Sequence, residues 1–138
     1  MPAGSNENLS PKLIREKCFS IFKEFDLVYL FGSLAKGRRT PLSDIDLGFL
    51  VNRKVDLFET RIDLIGKLTE ILHEEIDVVI LDTAPPLLKF EVLKGILLFQ
   101  RDERIRIEFE VKTRNEYYDT KYLRRVQSQY LFVRMGGI

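Results

Sequence analysis

The chain has one cysteine, one histidine and no tryptophan among its 138 residues. A single cysteine cannot close an internal disulfide, so nothing here asks for an oxidising compartment. One His and one Cys are too few donors for a zinc site of the usual kind. An excess of either charge is also missing: 22 Lys and Arg stand against 21 Asp and Glu. That balance argues against a strongly basic nucleic-acid binder and against an acidic-tail protein. No apolar run approaches the roughly 20 residues that span a bilayer. The polar opening from Met1 to Asn8 has no basic segment leading into an apolar one. The expectation is therefore a chain with no signal peptide and no membrane contact, in the cytoplasm. Repeats and low-complexity stretches are absent as well.

What is present is enough apolar sequence, 45% of residues, to build a core. The length fits one domain. Ser10-Pro11 reads as a helix start, with Ile14, Cys18, Ile21/Phe22 and Phe25 recurring at helical spacing. Cys18 lies on that stripe and reads as core. Leu27 to Phe31 is a buried strand ending at Gly32-Ser33. Residues 34–43 are too polar for a core and read as a short helical turn followed by an exposed loop. A second strand spans Ile45 to Val51. Asp56 and Glu59 form a plausible capping pair for a helix to about His73, its inward stripe being Phe58, Ile62, Ile65, Leu68 and Leu72. Ile76 to Leu81 is a third strand. Thr83-Ala84-Pro85-Pro86 opens a helix with Leu88, Val92 and Leu93 facing in. Gly95 breaks it, and Ile96 to Phe99 is a short edge strand. Residues 101–114 alternate like a strand yet also suit a helix, and helix is preferred. Tyr118, Tyr122, Val126, Tyr130 and Val133 continue at helical spacing until Gly136-Gly137. The expected fold is α+β: a small mixed sheet with helices packed on it, a core over about 25–100 and a helical tail over about 101–134.

Chemistry concentrates at one spacing. Gly32-Ser33 is followed by ten residues and then Asp44-Ile45-Asp46. Strand geometry points Asp44 and Asp46 the same way. Two carboxylates on one face repel unless a cation lies between them, and an all-oxygen site suits magnesium. Asp77, among Ile76, Val78 and Val79, is costly to bury unless paired or metal-bound. Three carboxylates on neighbouring strands can hold two metals about 3.5–4 Å apart for in-line attack at phosphorus. Gly32 lets backbone approach a ligand closely, and the following N–H groups with the Ser33 hydroxyl make a phosphate cradle. Lys36 and Ser43 are placed to add contacts to the same phosphates. The competing reading is that Asp44 caps a loop, Asp46 is surface and Asp77 pairs with Arg or Lys.

The stretch GSLAKGRRTPLSDIDLGFL resembles the signature of the minimal nucleotidyltransferases of the DNA polymerase β superfamily. The likeness covers roughly residues 25–100. The region from Glu108 to Leu131, with Glu116-Tyr117-Tyr118-Asp119, is similar to the tail of one branch, the MNT-domain antitoxins that pair with a HEPN-domain ribonuclease toxin. The resemblance implies a polymerase β-like fold. It also implies that Gly32 and Ser33 hold a triphosphate, that Asp44 and Asp46 bind both magnesium ions, and that Asp77 binds one ion and helps deprotonate the acceptor. Lys36 matches a position that is often basic. The implied reaction moves AMP from ATP to a hydroxyl, which in this branch is a tyrosine of the toxin.

Transferases acting on tRNA, DNA or antibiotics usually carry a second domain for the acceptor, and about 35 residues after the core are too few for one. A macromolecular acceptor follows. The tail mixes basic residues with Tyr117, Tyr118, Tyr122 and Tyr130, which suits a partner interface, RNA contact or packing on its own sheet. His73 reads as a helix-end residue rather than part of the chemistry. Two other functions stay open: an antitoxin that neutralises by binding alone, and an RNA nucleotidyltransferase.

Overall fold

The computed structural model describes residues 9–38 and 44–134, apart from the side chains of residues 122, 126 and 129–134. Expectations for Ser43, Arg39 to Pro41, the polar lead and Gly136-Gly137 lie outside that range. So do those for the side chains of Tyr122, Val126, Tyr130 and Val133.

Helix α1, Pro11–Phe22, starts as its sequence dictates: the Leu13 N–H donates to Ser10 Oγ at 3.1 Å, and Pro11 occupies the first turn. It buries Ile14, Cys18 and Phe22. Strand β1, Leu27–Phe31, leads into the one-turn helix α2, Gly32–Ala35. Strand β2, Ile45–Leu50, ends one residue before the expected Val51. Helix α3, Leu57–Leu72, is capped by Asp56, which accepts from the Glu59 N–H at 3.0 Å. It closes at His73, whose φ of 56° is the left-handed cap conformation. Strand β3, Ile76–Ile80, helix α4, Pro86–Leu93, and strand β4, Ile96–Gln100, follow. Residues 103–134 form a single helix, α5, Glu103–Arg134, which resolves the ambiguity over 101–114 in favour of helix. Among the described residues no helix is long and apolar enough to cross a membrane.

The sheet order is β3-β2-β1-β4. β1 is antiparallel to both β2 and β4, and β2 is parallel to β3, so the sheet is mixed. Alternation along the strands divides the core between two faces. Ile45, Leu47, Phe49 and Val78 pack with Ile14, Cys18, Phe22, Leu64 and Leu68 under α1 and α3. Leu27, Tyr29, Leu81 and Val92 pack under α4 and the start of α5. Burial pushes the Cys18 thiol up to about 11, as befits a core side chain.

The expected stripe on α3 needs correction. The buried residues are Leu64, Leu68 and Leu72, with Ile65 partly covered. Phe58 is 69% exposed and Ile62 51%. The first turns of α3 lie beside the outer edge of β3, where Arg61 Nε donates to the Val78 carbonyl at 2.7 Å. At an edge there is no further strand for these apolar side chains to cover.

The first half of α5 is fastened to the sheet and to α4. The Tyr29 hydroxyl donates to Glu110 Oε2 at 2.7 Å, and Lys89 pairs with Glu116 at 2.6 Å. The Phe90 and Tyr117 rings stack at 3.9 Å. Self-packing therefore holds for this half of the tail, while Tyr118 and Leu123 face solvent.

Candidate active site

Strand periodicity sets the first carboxylate. Ile45 and Leu47 enter the core under α1 and α3, so Asp46 between them emerges on the opposite face, half-buried. Asp46 lies across from Phe31 on β1 and from Asp77 on β3. Neighbouring strands run about 4.8 Å apart, so Asp77 is its immediate neighbour. Asp44, exposed, precedes the strand by one residue. The Asp46 carboxyl is pushed up to about 6 by burial first, then by the charges of Asp77 and Asp44. The structure thus brings all three carboxylates into one region of negative potential.

The turn after β1 completes that region. Gly32 has φ +79°, a conformation that glycine adopts freely and other residues resist. A Cβ at Gly32 would fall directly on Asp46 Oδ2. Only a residue without a side chain lets the backbone lie this close to the carboxylate. The Ser33 carbonyl accepts from the Lys36 N–H at 3.1 Å and the Arg38 N–H at 2.8 Å, which curls the chain after α2. Lys36 is exposed beyond this turn.

Asp77 has a partner that the competing sequence reading expected. Arg61 Nη2 lies 3.3 Å from Asp77 Oδ1 while its Nε is bound to the Val78 carbonyl. Arg61 was not singled out in the sequence. The only signal available is that it interrupts the apolar residues Phe58, Ile62 and Ile65 on α3.

Among the described residues no three His, Cys, Asp or Glu side chains already stand close enough to hold a metal ion. The donor chemistry nevertheless fits magnesium. All candidate donors are carboxylate oxygens, magnesium takes one or two carboxylates and fills its other positions with water and phosphate oxygens, and the charge crowding at Asp46 is what a divalent cation would relieve.

Residues 16–104 match the polymerase beta nucleotidyltransferase family. Over 115 residues, 81% of this chain and 77% of the relative, the sequence is 33% identical to the protein adenylyltransferase MntA of Shewanella oneidensis. The fold is similar to that in a crystal structure of a toxin–antitoxin with AMP-PNP, at a TM-score of 0.74 and 26% identity, covering 86% of this chain and 98% of that one. It is also similar to a chain of the MntA–HepT toxin–antitoxin, at a TM-score of 0.69 and 25% identity, covering 87% and 97%.

Proposed function

The chain belongs to the polymerase β nucleotidyltransferase family, and from that premise we propose that it is a magnesium-dependent protein adenylyltransferase that silences a HEPN-domain ribonuclease toxin. The donor is ATP and the acceptor is a tyrosine hydroxyl of the toxin. The observation that carries the reading is the position of Asp46, held against Gly32 on one side and crowded by Asp77 and Asp44 on the other. Charge crowding of this kind opposes folding and offers nothing to an antitoxin that acts by binding alone. It is explained by a site that receives cations and phosphates.

In this reading Asp44 and Asp46 hold two magnesium ions, with Asp77 on one of them. When bound, the ions neutralise the triphosphate and draw electron density from the α-phosphorus. Gly32 and Ser33 cradle the phosphates, and Lys36 and Ser43 add contacts to them. Asp77 accepts the proton of the tyrosine hydroxyl. That oxygen forms a bond to the α-phosphorus while the bond to the bridging oxygen breaks, and pyrophosphate leaves with the electron pair. The tyrosine carries AMP, and Asp77 returns its proton to solvent.

The test is transfer from ATP labelled at the α- or the γ-phosphate, with magnesium, to a HEPN-domain toxin. Label in the toxin from α-labelled ATP only, absent with the double variant Asp44→Asn/Asp46→Asn, is the expected result. Label from γ-labelled ATP would mean a kinase. Label in RNA would make the chain an RNA nucleotidyltransferase.

A further inference from the structure

Phe58, exposed on α3, borders a cavity of about 390 Å³ that opens beside the outer edge of β3. Leu57, Phe58 and Arg61 form one wall, and Ala84 and Leu88 form another. Asp77 stands in it, with its carboxylate paired to Arg61.

We propose that this cavity is the acceptor subsite, which takes the aromatic ring of the toxin's tyrosine between Phe58 and Leu88 and presents its hydroxyl to Asp77. The proposal rests on the adenylyltransferase reading above and names where that reaction's second substrate binds.

Three observations carry it. First, the strand order separates the two sides of the site. Gly32, at the end of β1, flanks Asp46 on one side, and Asp77, on β3, flanks it on the other. In-line displacement places the entering and leaving oxygens on opposite sides of the phosphorus. With the triphosphate toward Gly32, the attacking oxygen enters from the Asp77 side, where the cavity lies. Second, the lining is mostly apolar, which suits an uncharged ring better than a triphosphate. Third, backbone capture at this edge is obstructed. Arg61 occupies the Val78 carbonyl that an added strand would use, which leaves side-chain insertion as the mode of binding.

The test is steady-state transfer of α-labelled AMP to a HEPN-domain toxin, with toxin and ATP varied separately, for Phe58→Ala and Phe58→Asp. Phe58 faces solvent, so unchanged melting temperatures are expected. The acceptor kcat/KM is expected to fall about tenfold for Phe58→Ala and further for Phe58→Asp, the scale of losing an aromatic anchor at an interface. The KM for ATP stays within about twofold. Unchanged acceptor kinetics would overturn the subsite while leaving the adenylyltransferase reading intact. A rise in the KM for ATP with acceptor kinetics unchanged would overturn it too, by placing the adenine ring there. A wild-type chain that labels no toxin tyrosine would overturn both readings together.

Discussion

Replacing Asp46 with Asn is expected to reduce AMP transfer by roughly 10³-fold and, in chelator-treated protein at pH 8, to raise the melting temperature by roughly 2–4 °C. Both effects come from one cause. The carboxylate is the central charge of the site, and its folded-state pKa, about 6, lies above the ordinary value of 3.8 because burial and the neighbouring Asp77 and Asp44 charges disfavour ionisation. An acid whose pKa is raised by folding takes up its proton more readily in the native chain. Stability therefore falls as pH rises between about 4 and 6, and the full penalty persists above that range. The three groups are partly exposed, so solvent screens their repulsion and about 1 kcal/mol is the scale. The gain from Asn should be present at pH 8 and vanish below about pH 3, where Asp46 is protonated in both states. Magnesium should raise the melting temperature of the wild type more than that of the variant. A variant that loses stability at pH 8 would show that Asp46 is a structural partner and not a group held against repulsion.

Gly32→Ala is the second large effect. Its φ of +79° costs a residue with a Cβ about 1–2 kcal/mol, and the added atom would land on Asp46 Oδ2. The carboxylate or the turn must shift, for a total of about 2–3 kcal/mol. Displacement of the central carboxylate is expected to lower transfer by at least about 10²-fold, since geometry at a reacting phosphate tolerates little error. Gly37→Ala separates the two contributions. Gly37 also has positive φ, at +70°, but nothing lies within 4 Å of a Cβ there. It should lose about 1–2 kcal/mol from strain alone and keep transfer within about threefold of wild type. Equal activity losses at the two glycines would mean that the turn's conformation, and not the Gly32–Asp46 contact, governs the site.

Much of this was readable from residue order because the informative signals are local. Ser10-Pro11 and Asp56 are caps whose partners lie three residues away, and both formed. The strand alternation that puts Asp46 opposite Ile45 and Leu47 needs no tertiary knowledge. The features that escaped are those set by sheet order. Phe58 and Ile62 carry the same period as Leu68 and Leu72, and only the edge position of β3 tells which of them is covered. Arg61 is ordinary on a helix until the fold places Val78 and Asp77 beside it. Gly32 was expected near a ligand, whereas its contact with Asp46 depends on the register that pairs Phe31 with that residue. The helix preferred over 101–114 holds despite the strand-like alternation of Ile105, Ile107, Phe109 and Val111, because Ile105 and Phe109, one helical turn apart, are the two that pack on the sheet.

The central claim is that neutralisation is catalytic. The most direct measurement is survival of cells that express a HEPN-domain toxin together with either the wild-type chain or Asp44→Asn/Asp46→Asn, at equal dose, with co-purification confirming that each antitoxin binds. Rescue by the wild type, and failure of a variant that still binds, is the predicted result. Full rescue by the bound variant would contradict the account and make the chain an antitoxin that acts by complex formation alone.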